Sequence, residues 1–244
     1  MKILSHNVFW FQGVPFLTDQ PKSPDPEVLQ KICALYRRID PDLICLQEIQ
    51  DEKTFHLVSE CLDMEGSFCP GKDLPQYGGA VFWLPGLGKE ISNSNDSEVD
   101  IQRMRQTVEI TGPNGSICVC NIHLPSERQL GPDKASAQRR GELQDAVKSR
   151  ETGPDIITGD FNERPGGPTN TFLKDQGYID AALLFDCGDV STNISSKRGD
   201  YIWVKKMKSV SVSAYKVKGK EELVWGKTDK EYLSDHLPLW ITLE

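Results

Sequence analysis

Apolar and polar positions follow one another along the 244-residue chain in short runs whose period changes between strand and helix. Lys2 to Val8 has the pattern of a strand. Pro26 to Ile39 carries apolar residues at helical spacing, with Asp25 in the position of an N-cap. Leu43 to Gln47 is a continuous apolar run typical of a strand that is buried on both faces. We therefore expect a β-α-β order at the start.

The rest of the pattern predicts strands in two groups, with helices beside them. Helices are expected at Lys53 to Leu62, about Lys134 to Lys148 and Thr169 to Lys174, and strands at Ala80 to Leu84, Arg103 to Ile110, Ile117 to Leu124, Asp155 to Thr158, Tyr201 to Lys205, Val210 to Val217 and Leu239 to Leu243. Gly112-Pro113-Asn114-Gly115 predicts a hairpin turn, and the Ser/Asn/Asp-rich stretch Gly86 to Asp100 predicts a mobile loop. The sequence shows no linker, so we expect one domain over residues 1–244.

Composition agrees with a packed domain and limits the kind of partner. Hydrophobic residues make up 38% and charged residues 26% of the chain, enough for both a core and a hydrated surface. The formal net charge is −8, opposite in sign to that of a protein that neutralises many phosphates of a long nucleic acid. An anionic substrate would therefore need a local basic surface or a metal ion.

Cysteine usage and hydropathy give an expectation about location. The seven cysteines are scattered without paired Cys-x-x-Cys spacing, which is typical of reduced core residues. After Met1 and Lys2, only two apolar residues precede a polar stretch, so no signal-peptide pattern forms. No apolar run approaches the roughly 20 residues of a membrane span. We expect a cytoplasmic protein with no membrane span, and a monomer by default.

Polar residues that could carry chemistry stand where the predicted strands begin or end. Strand ends in a layered fold can converge on one rim, where loops carry functional sites. Several such residues at equivalent positions call for a common explanation. They are Asn7, Glu48, His123, Asp160, Asn162, Asp235 and His236.

Each of these residues also has a purely structural interpretation when taken alone. Asp160 and Asn162 follow Gly159, whose freedom permits a tight exit from the strand, but they could equally form an Asx turn. Glu48 could bind a hard cation such as Mg²⁺ at the end of its strand, or cap a helix. His123 could be a hydrogen-bonded core histidine.

Asp235 and His236 are neighbours before an apolar strand, and adjacent residues of a strand point to opposite sides. A different carboxylate should therefore orient His236. Asp200, at the entrance of another predicted strand, is a candidate.

Taken together and in this order, the motifs resemble the deoxyribonuclease I-like endonuclease/exonuclease/phosphatase superfamily. The resemblance covers essentially the whole chain and implies an α/β fold, a four-layer sandwich of two packed, mostly antiparallel β-sheets flanked by helices. It also implies a metal-dependent hydrolase of phosphoester bonds. The motifs are Asn7, Leu46-Gln47-Glu48, His123, Gly159-Asp160-Phe161-Asn162, Asp200 and Ser234-Asp235-His236.

The resemblance implies a metal side and a phosphate side of the site. Glu48 would bind Mg²⁺ directly, with Mn²⁺ able to substitute, and Asn7 and Asp235 would lie close to the ion or act through water. One direct carboxylate agrees with the tendency of Mg²⁺ to keep several of its waters.

On the phosphate side, Asp160 would orient or deprotonate the attacking water and Asn162 would hold a phosphate oxygen. His236, positioned by Asp200, and His123 would stabilise the charge that grows on the non-bridging oxygens. This division suits phosphoryl transfer, which depends on positioning and electrostatic stabilisation.

Arginines complete the implied substrate site. Arg105 falls where several family members place a phosphate-binding arginine, and Arg103 is the alternative. Arg164 belongs to a Gly-Asp-x-Asn-x-Arg run that resembles the tyrosyl-DNA 5′-phosphodiesterase-like branch, and we assign it to substrate binding.

The substrate stays open at this level. A phosphodiester, such as a DNA or RNA end or a related ester, is the first expectation. The alternatives are a phosphomonoester of a small metabolite, inositol phosphate or lipid headgroup, and a catalytically silent phosphate-binding module. The aromatic residues Phe9, Trp10, Phe11 and Phe16 could stack on a base or apolar group, or simply pack in the core.

Overall fold

The computed structural model describes residues 1–112, 114–206, 211–227 and 230–244. The helices are α1 (Pro26–Ile39), α2 (Glu52–Leu62), α3 (Glu127–Leu130), α4 (Pro132–Lys148) and α5 (Pro168–Asp175). The strands are β1 (Lys2–Asn7), β2 (Leu43–Ile49), β3 (Glu65–Cys69), β4 (Gly78–Trp83), β5 (Gly88–Asn93), β6 (Met104–Gly112), β7 (Gly115–His123), β8 (Ile156–Asp160), β9 (Tyr178–Asp180), β10 (Asp200–Lys205), β11 (Val212–Val217), β12 (Val224–Lys227), β13 (Lys230–Tyr232) and β14 (Leu239–Leu243).

Helix α1 shows how local signals set an element. The side chain of Asp25 accepts hydrogen bonds from the backbone N–H groups of Glu27 and Val28, and Pro26 occupies the first turn, where its missing N–H is harmless. The helix ends where Asp40 adopts a left-handed conformation. The predicted bounds of this helix match the structure.

Two six-stranded sheets form the centre of the molecule. Sheet one has the order β11-β14-β1-β2-β4-β3, and sheet two has the order β5-β6-β7-β8-β10-β9. Within each sheet the two middle strands, β1 with β2 and β7 with β8, are parallel, while the other neighbours are antiparallel. A parallel pair needs a long crossover connection, which α1 provides in sheet one and α4 in sheet two.

Alternation along the strands divides the core into layers. Leu43 of sheet one packs with Val119 and Ile156 of sheet two in the interior between the sheets. The next residue along, Ile44, faces α1 and α2 on the outer side of sheet one. Helices α4 and α5 cover the outer side of sheet two in a third apolar cluster. The predicted four-layer α/β sandwich is confirmed.

The prediction of a mobile loop at Gly86 to Asp100 is wrong. Gly88–Asn93 form β5, which pairs with β6 at the edge of sheet two, and Ser94–Asp96 form a short 3₁₀ turn. Edge strands carry polar residues because one of their sides faces solvent, so the apolar alternation that marks a strand is weak here.

Two other sequence predictions extend beyond the described residues. Pro113, in the predicted hairpin turn, and Val210, at the start of a predicted strand, lie outside the described ranges. Gly112 and Gly115 on either side of the turn are paired in the β6–β7 ladder, and β11 is described from Val212 onward. Within the four described ranges, no helix has the length and apolar character needed to cross a membrane.

Candidate active site

The ends of the two parallel strand pairs meet at one edge of the sandwich. Asn7 ends β1, Glu48 lies at the end of β2, His123 ends β7 and Asp160 ends β8. The Asn7 amide nitrogen lies 3.2 Å from a carboxylate oxygen of Asp160, which joins sheet one to sheet two. Side chains from both sheets therefore line one cleft, whose volume is about 1370 Å³.

Asp160 is the centre of this cluster. Its Oδ2 atom accepts a hydrogen bond from Asn7 and lies 3.3 Å from Nε2 of His123 and 3.8 Å from Nε2 of His236. Burial alone would raise the pKa of Asp160, but the two histidines and Arg103 outweigh burial and lower that pKa well below the usual range. The carboxylate is therefore ionised at neutral pH.

Gly159 allows Asp160 to reach this position. Its φ is +137°, and a Cβ atom there would lie 1.9 Å from the carbonyl oxygen of Ile122 on the neighbouring strand. A side chain at this position would push β7 and β8 apart. Only glycine therefore fits before Asp160 while β7 and β8 stay in close contact.

His236 lies in a ring of carboxylates. Its Nδ1 atom is 2.9 Å from Oδ2 of Asp200, and that oxygen also accepts a hydrogen bond of 2.7 Å from the Thr192 hydroxyl. Burial alone would lower the pKa of His236, but Asp200, Asp235 and Asp160 raise it well above 6.5. The imidazole is therefore a cation held in one orientation, as expected from a histidine with a buried carboxylate on one nitrogen.

His123 has the opposite surroundings. It is fully buried, and the Arg103 guanidinium forms a hydrogen bond with its Nε2 atom. Burial, followed by the positive charge of Arg103, lowers the pKa of His123 to about 4. Arg103 is itself fixed over the ring of Tyr77, with its guanidinium carbon 4.2 Å from the ring centre. His123 is therefore neutral at pH 7.

Glu48 and Asp235 supply oxygens that suit a divalent cation. Glu48 has a φ of +62° and is buried, and burial raises its pKa to about 8, with a further contribution from the negative charge of Asp235. Among the described residues, neither Oε2 of Glu48 nor Oδ1 of Asp235 has a hydrogen-bond donor. Glu48 is buried and Asp235 is partly exposed, and each presents one carboxylate oxygen without a donor, which a hard cation would stabilise, so the donor set fits Mg²⁺.

A second group with metal-ligand chemistry shares this edge of the sheets. Ligand atoms of Asp160, Asp200 and His236 all lie within 4.8 Å of one another. The Nδ1 atom of His236 is occupied by Asp200, however, and a cationic imidazole cannot bind a metal. Of the two sets, we favour Glu48 and Asp235 as the cation site.

Asn7 contacts the cluster through its amide hydrogens. Its Oδ1 atom accepts a hydrogen bond of 3.0 Å from the backbone N–H of Phe9, while Nδ2 donates to Asp160. This geometry makes Asn7 a residue that orients Asp160. Its contact with Glu48 places it next to the cation site as well.

Asn162 and Arg164 lie in the loop after β8 and line the cleft. Asn162 adopts a φ of +48°, its backbone N–H binds Asp160, and its Nδ2 donates to the carbonyl of Leu124. The almost fully buried guanidinium of Arg139 donates to the Asn162 carbonyl at 2.7 Å and so fixes the loop. Arg164 is exposed on the cleft rim.

The structure does not bring Arg105 to the cleft, which corrects the sequence expectation for this residue. Arg105 lies within β6, opposite Ile122, and its guanidinium is 3.3 Å from Asp145 on α4. The strand direction thus sends its side chain to the outer face of sheet two. Arg103 precedes the strand and reaches the cleft instead, so it takes the place of Arg105 as the candidate phosphate ligand.

Two contributors carry no signal in the sequence. Thr192, which holds Asp200, and Arg139, which holds the loop of Asn162, lie in segments without a recognisable motif. Each acts through a partner that is distant along the chain, so only the folded structure identifies them.

The sequence and fold define the class of this protein. The family model described as "Endonuclease/Exonuclease/phosphatase family" matches residues 4–236, and the chain belongs to that family. The family consists of metal-dependent phosphoester hydrolases, so the chain is a hydrolase that acts on ester bonds.

Among individual relatives, the chain is similar to human "Protein angel homolog 2", with 25% identity over 200 residues. The match covers 72% of this chain and 35% of the relative, so the chain spans about a third of that protein's length.

Solved structures with the same fold come from distant relatives. The catalytic domain of human nocturnin has 22% identity and a TM-score of 0.69, with 100% of this chain and 94% of that chain covered. A mannosyl-6-phosphatase of Bacteroides thetaiotaomicron has 15% identity and a TM-score of 0.71, with coverage of 100% and 99%. A humanized TDP2 of D. rerio has 17% identity and a TM-score of 0.67, with coverage of 100% and 98%.

Proposed function

We propose that this chain is a Mg²⁺-dependent phosphodiesterase that cleaves a nucleic-acid end or a related diester by in-line attack of water. The observation that carries the proposal is the position of Asp160, an ionised carboxylate between two imidazoles, beside Glu48, whose buried Oε2 atom has no hydrogen-bond donor among the described residues. A nucleophilic water, a phosphate and a cation can meet at such a centre.

Asp160 acts on the water. Its low pKa makes it a weak base before the reaction, so its first contribution is to orient the water by accepting a hydrogen bond. It accepts a proton as the water oxygen bonds to phosphorus and becomes acidic. Asn7 keeps the carboxylate in place through its 3.2 Å contact.

His236 and Arg103 act on the phosphate, and His123 supports Arg103. His236 places a positive charge near the non-bridging oxygens, while Asp200 and Thr192 hold the imidazole in place. Arg103 contributes from sheet two, where a donor aimed at growing charge lowers the barrier, and the neutral His123 accepts a hydrogen bond from its guanidinium and so helps to position it. Asn162 and Arg164 contact the remaining substrate oxygens at the rim.

Glu48 and Asp235 would hold the cation. When bound, a Mg²⁺ ion, or Mn²⁺ in its place, supplies charge that polarises the phosphoryl group and stabilises the leaving oxygen. This charge also offsets the repulsion between the substrate and a chain whose formal net charge is −8.

We also propose the location, domain organisation and oligomeric state of the enzyme. All seven cysteines, each within the described ranges, carry free thiols, which supports a reducing compartment such as the cytoplasm. The three apolar clusters join all four layers, which supports one catalytic domain over residues 1–244. We propose that it works as a monomer.

The test is hydrolysis of bis-p-nitrophenyl phosphate, a diester, and p-nitrophenyl phosphate, a monoester, with Mg²⁺, with Mn²⁺ and with EDTA. The proposal predicts release of nitrophenol from the diester that requires the metal and is faster than release from the monoester. Faster monoester cleavage would replace the diesterase with a phosphatase. Absence of turnover of both esters with every metal would point to a silent phosphate-binding module.

A further inference from the structure

The backbone turn that follows β1, beside Glu48, is strained, and its residues are aromatic. Phe9, Trp10 and Phe11 follow β1 and have φ values of +49°, +51° and +54°. Bulky L-residues rarely adopt these values, and such turns persist only where the surrounding structure enforces them, often beside ligands. Trp10 and Phe11 are buried, and the Trp10 indole N–H donates a 2.6 Å hydrogen bond to the carbonyl of Gln76.

The strained turn leaves an apolar surface on the cleft wall. Phe9 is partly exposed and lines the cleft with Phe16, and the two ring centres are 6.1 Å apart at right angles. Leu17 beside them is 96% exposed. Lys230 donates hydrogen bonds to the carbonyls of Gly13 and Pro15 and so fastens this loop. We name Phe9, Phe16 and Leu17 the aromatic shelf.

The aromatic shelf and the exposed cations of the cleft rim come from different sheets. The shelf follows β1 of sheet one, and Glu48 of the cation site lies at the end of β2. The exposed cations Arg128, Arg164 and Lys197 lie in segments next to β7, β8 and β10 of sheet two, where the exposed carboxylates of Glu127 and Asp133 also line the cleft. A molecule that crosses the cleft therefore meets apolar rings on one side, a charged rim with three cations on the other, and the reactive carboxylates between them.

We propose that the aromatic shelf binds the base of a nucleotide that adjoins the scissile phosphate of a single-stranded nucleic acid. A base offers a flat apolar face on the same molecule as a series of phosphates, which matches rings on one wall and three cations on the other. Single-stranded substrate is required because a paired base is stacked within its helix and hides its faces. This inference rests on the proposed phosphodiesterase function and adds its substrate class.

A phospholipid is the competing occupant of an apolar shelf. It offers one phosphate near its apolar part, so it leaves most of the three rim cations unused. The charge distribution therefore favours the nucleic acid, and the lipid becomes an outcome of the test.

The test measures binding separately from turnover, with Asp160→Asn as an inactive background. Fluorescence anisotropy compares two labelled single-stranded oligonucleotides of one length, one natural and one with abasic residues. Phe9→Ala is expected to raise Kd for the natural strand about tenfold, the loss of one base-aromatic contact, and to leave Kd for the abasic strand unchanged. Phe9→Trp should retain the affinity, since it keeps an aromatic face.

Leu184→Ala is the matched control, because Leu184 is an exposed apolar side chain outside the cleft lining. It should change neither Kd. Thermal unfolding of every variant shows whether the fold is retained, and Phe16→Ala replaces Phe9→Ala should the latter fail to fold.

Two results would show that the aromatic shelf does not bind a base: equal Kd values for the natural and abasic strands in the Asp160→Asn background, or an equal rise of both Kd values when Phe9→Ala is added. Phosphatidylcholine vesicles that bind more tightly than the natural strand, in a way that depends on Phe9, would assign the shelf to lipid and also overturn the proposal. The proposed function fails separately, when the wild type does not hydrolyse bis-p-nitrophenyl phosphate with any metal.

Discussion

His236 and His123 approach the same carboxylate from different sheets, and their surroundings give them opposite charges. Both have Nε2 within 4 Å of Asp160, at 3.8 Å and 3.3 Å. Asp200 and Asp235 outweigh burial and hold His236 as a cation, whereas burial, reinforced by the charge of Arg103, holds His123 neutral. The presence or absence of carboxylates that offset burial therefore determines the role of each histidine in this cleft.

This difference in charge predicts that mutation of His236 lowers kcat more than mutation of His123. His236→Ala removes the cation next to the phosphate and is expected to lower kcat on bis-p-nitrophenyl phosphate about 10³-fold. His123→Ala removes a neutral group, and Arg103 remains as a cation, so kcat should fall only about tenfold. Steady-state kinetics of the two variants checks the order. Equal losses would show that the charge state of the histidines does not matter.

A substitution of Glu48 tests the role of the metal site independently of the two histidines. Glu48→Gln removes a charged oxygen from the cation site and is expected to raise the Mg²⁺ concentration at half-maximal rate about tenfold or more. Titration of kcat with Mg²⁺ measures this, and Glu151→Gln, an exposed glutamate, is the control. An unchanged titration would remove Glu48 from the metal site.

The partner of His236 should affect the rate more than the binding of substrate. Asp200→Asn keeps the shape of the side chain but removes the charge 2.9 Å from Nδ1. We expect kcat to fall about tenfold while KM stays unchanged, since His236 then loses both its orientation and much of its positive charge. A change confined to KM would instead make Asp200 a substrate-binding residue.

A prediction about stability rather than turnover concerns Glu142, on the His123 side of the cleft. Glu142 accepts a hydrogen bond of 2.9 Å from the backbone N–H of Gln102, next to Arg103, and burial raises its pKa from 4.5 to about 7. Between these values the unfolded chain releases the proton first, so the free energy of unfolding falls as pH rises. The loss amounts to about 3 kcal/mol from pH 4.5 to 7.

Glu142→Gln keeps the hydrogen-bond acceptor without the ionisation and should lack this pH dependence. Urea denaturation of both proteins at a series of pH values measures it. Parallel curves for wild type and variant would show that Glu142 does not contribute.

Local signals were sufficient for most of the fold. The N-cap at Asp25 and the apolar period of α1 are written in adjacent residues, and a polar residue at the end of an apolar run marked Glu48 and Asp160. Edge strand β5 was missed because its polar residues carry no alternation, although pairing with β6 fixes it.

Contacts between distant segments set the rest of the site. Arg103 and Arg105 are two residues apart in one motif, and only the point at which β6 begins decides which of them reaches the cleft. The aromatic residues after Asn7 also divide, since Phe11 enters the core, Trp10 is buried in the cleft wall, and Phe9 and Phe16 are partly exposed in the cleft. Side-chain direction at such positions depends on tertiary packing, which sequence periodicity does not report.

The most direct test of a hydrolytic centre at Asp160 is kcat of Asp160→Asn on bis-p-nitrophenyl phosphate with saturating Mg²⁺. The substitution keeps the size of the side chain, and its circular dichroism and Tm should stay close to those of the wild type. We predict that kcat falls about 10⁴-fold, because water is then neither oriented nor deprotonated. A rate near that of the wild type in the folded variant would contradict the assignment of this cleft as the active site.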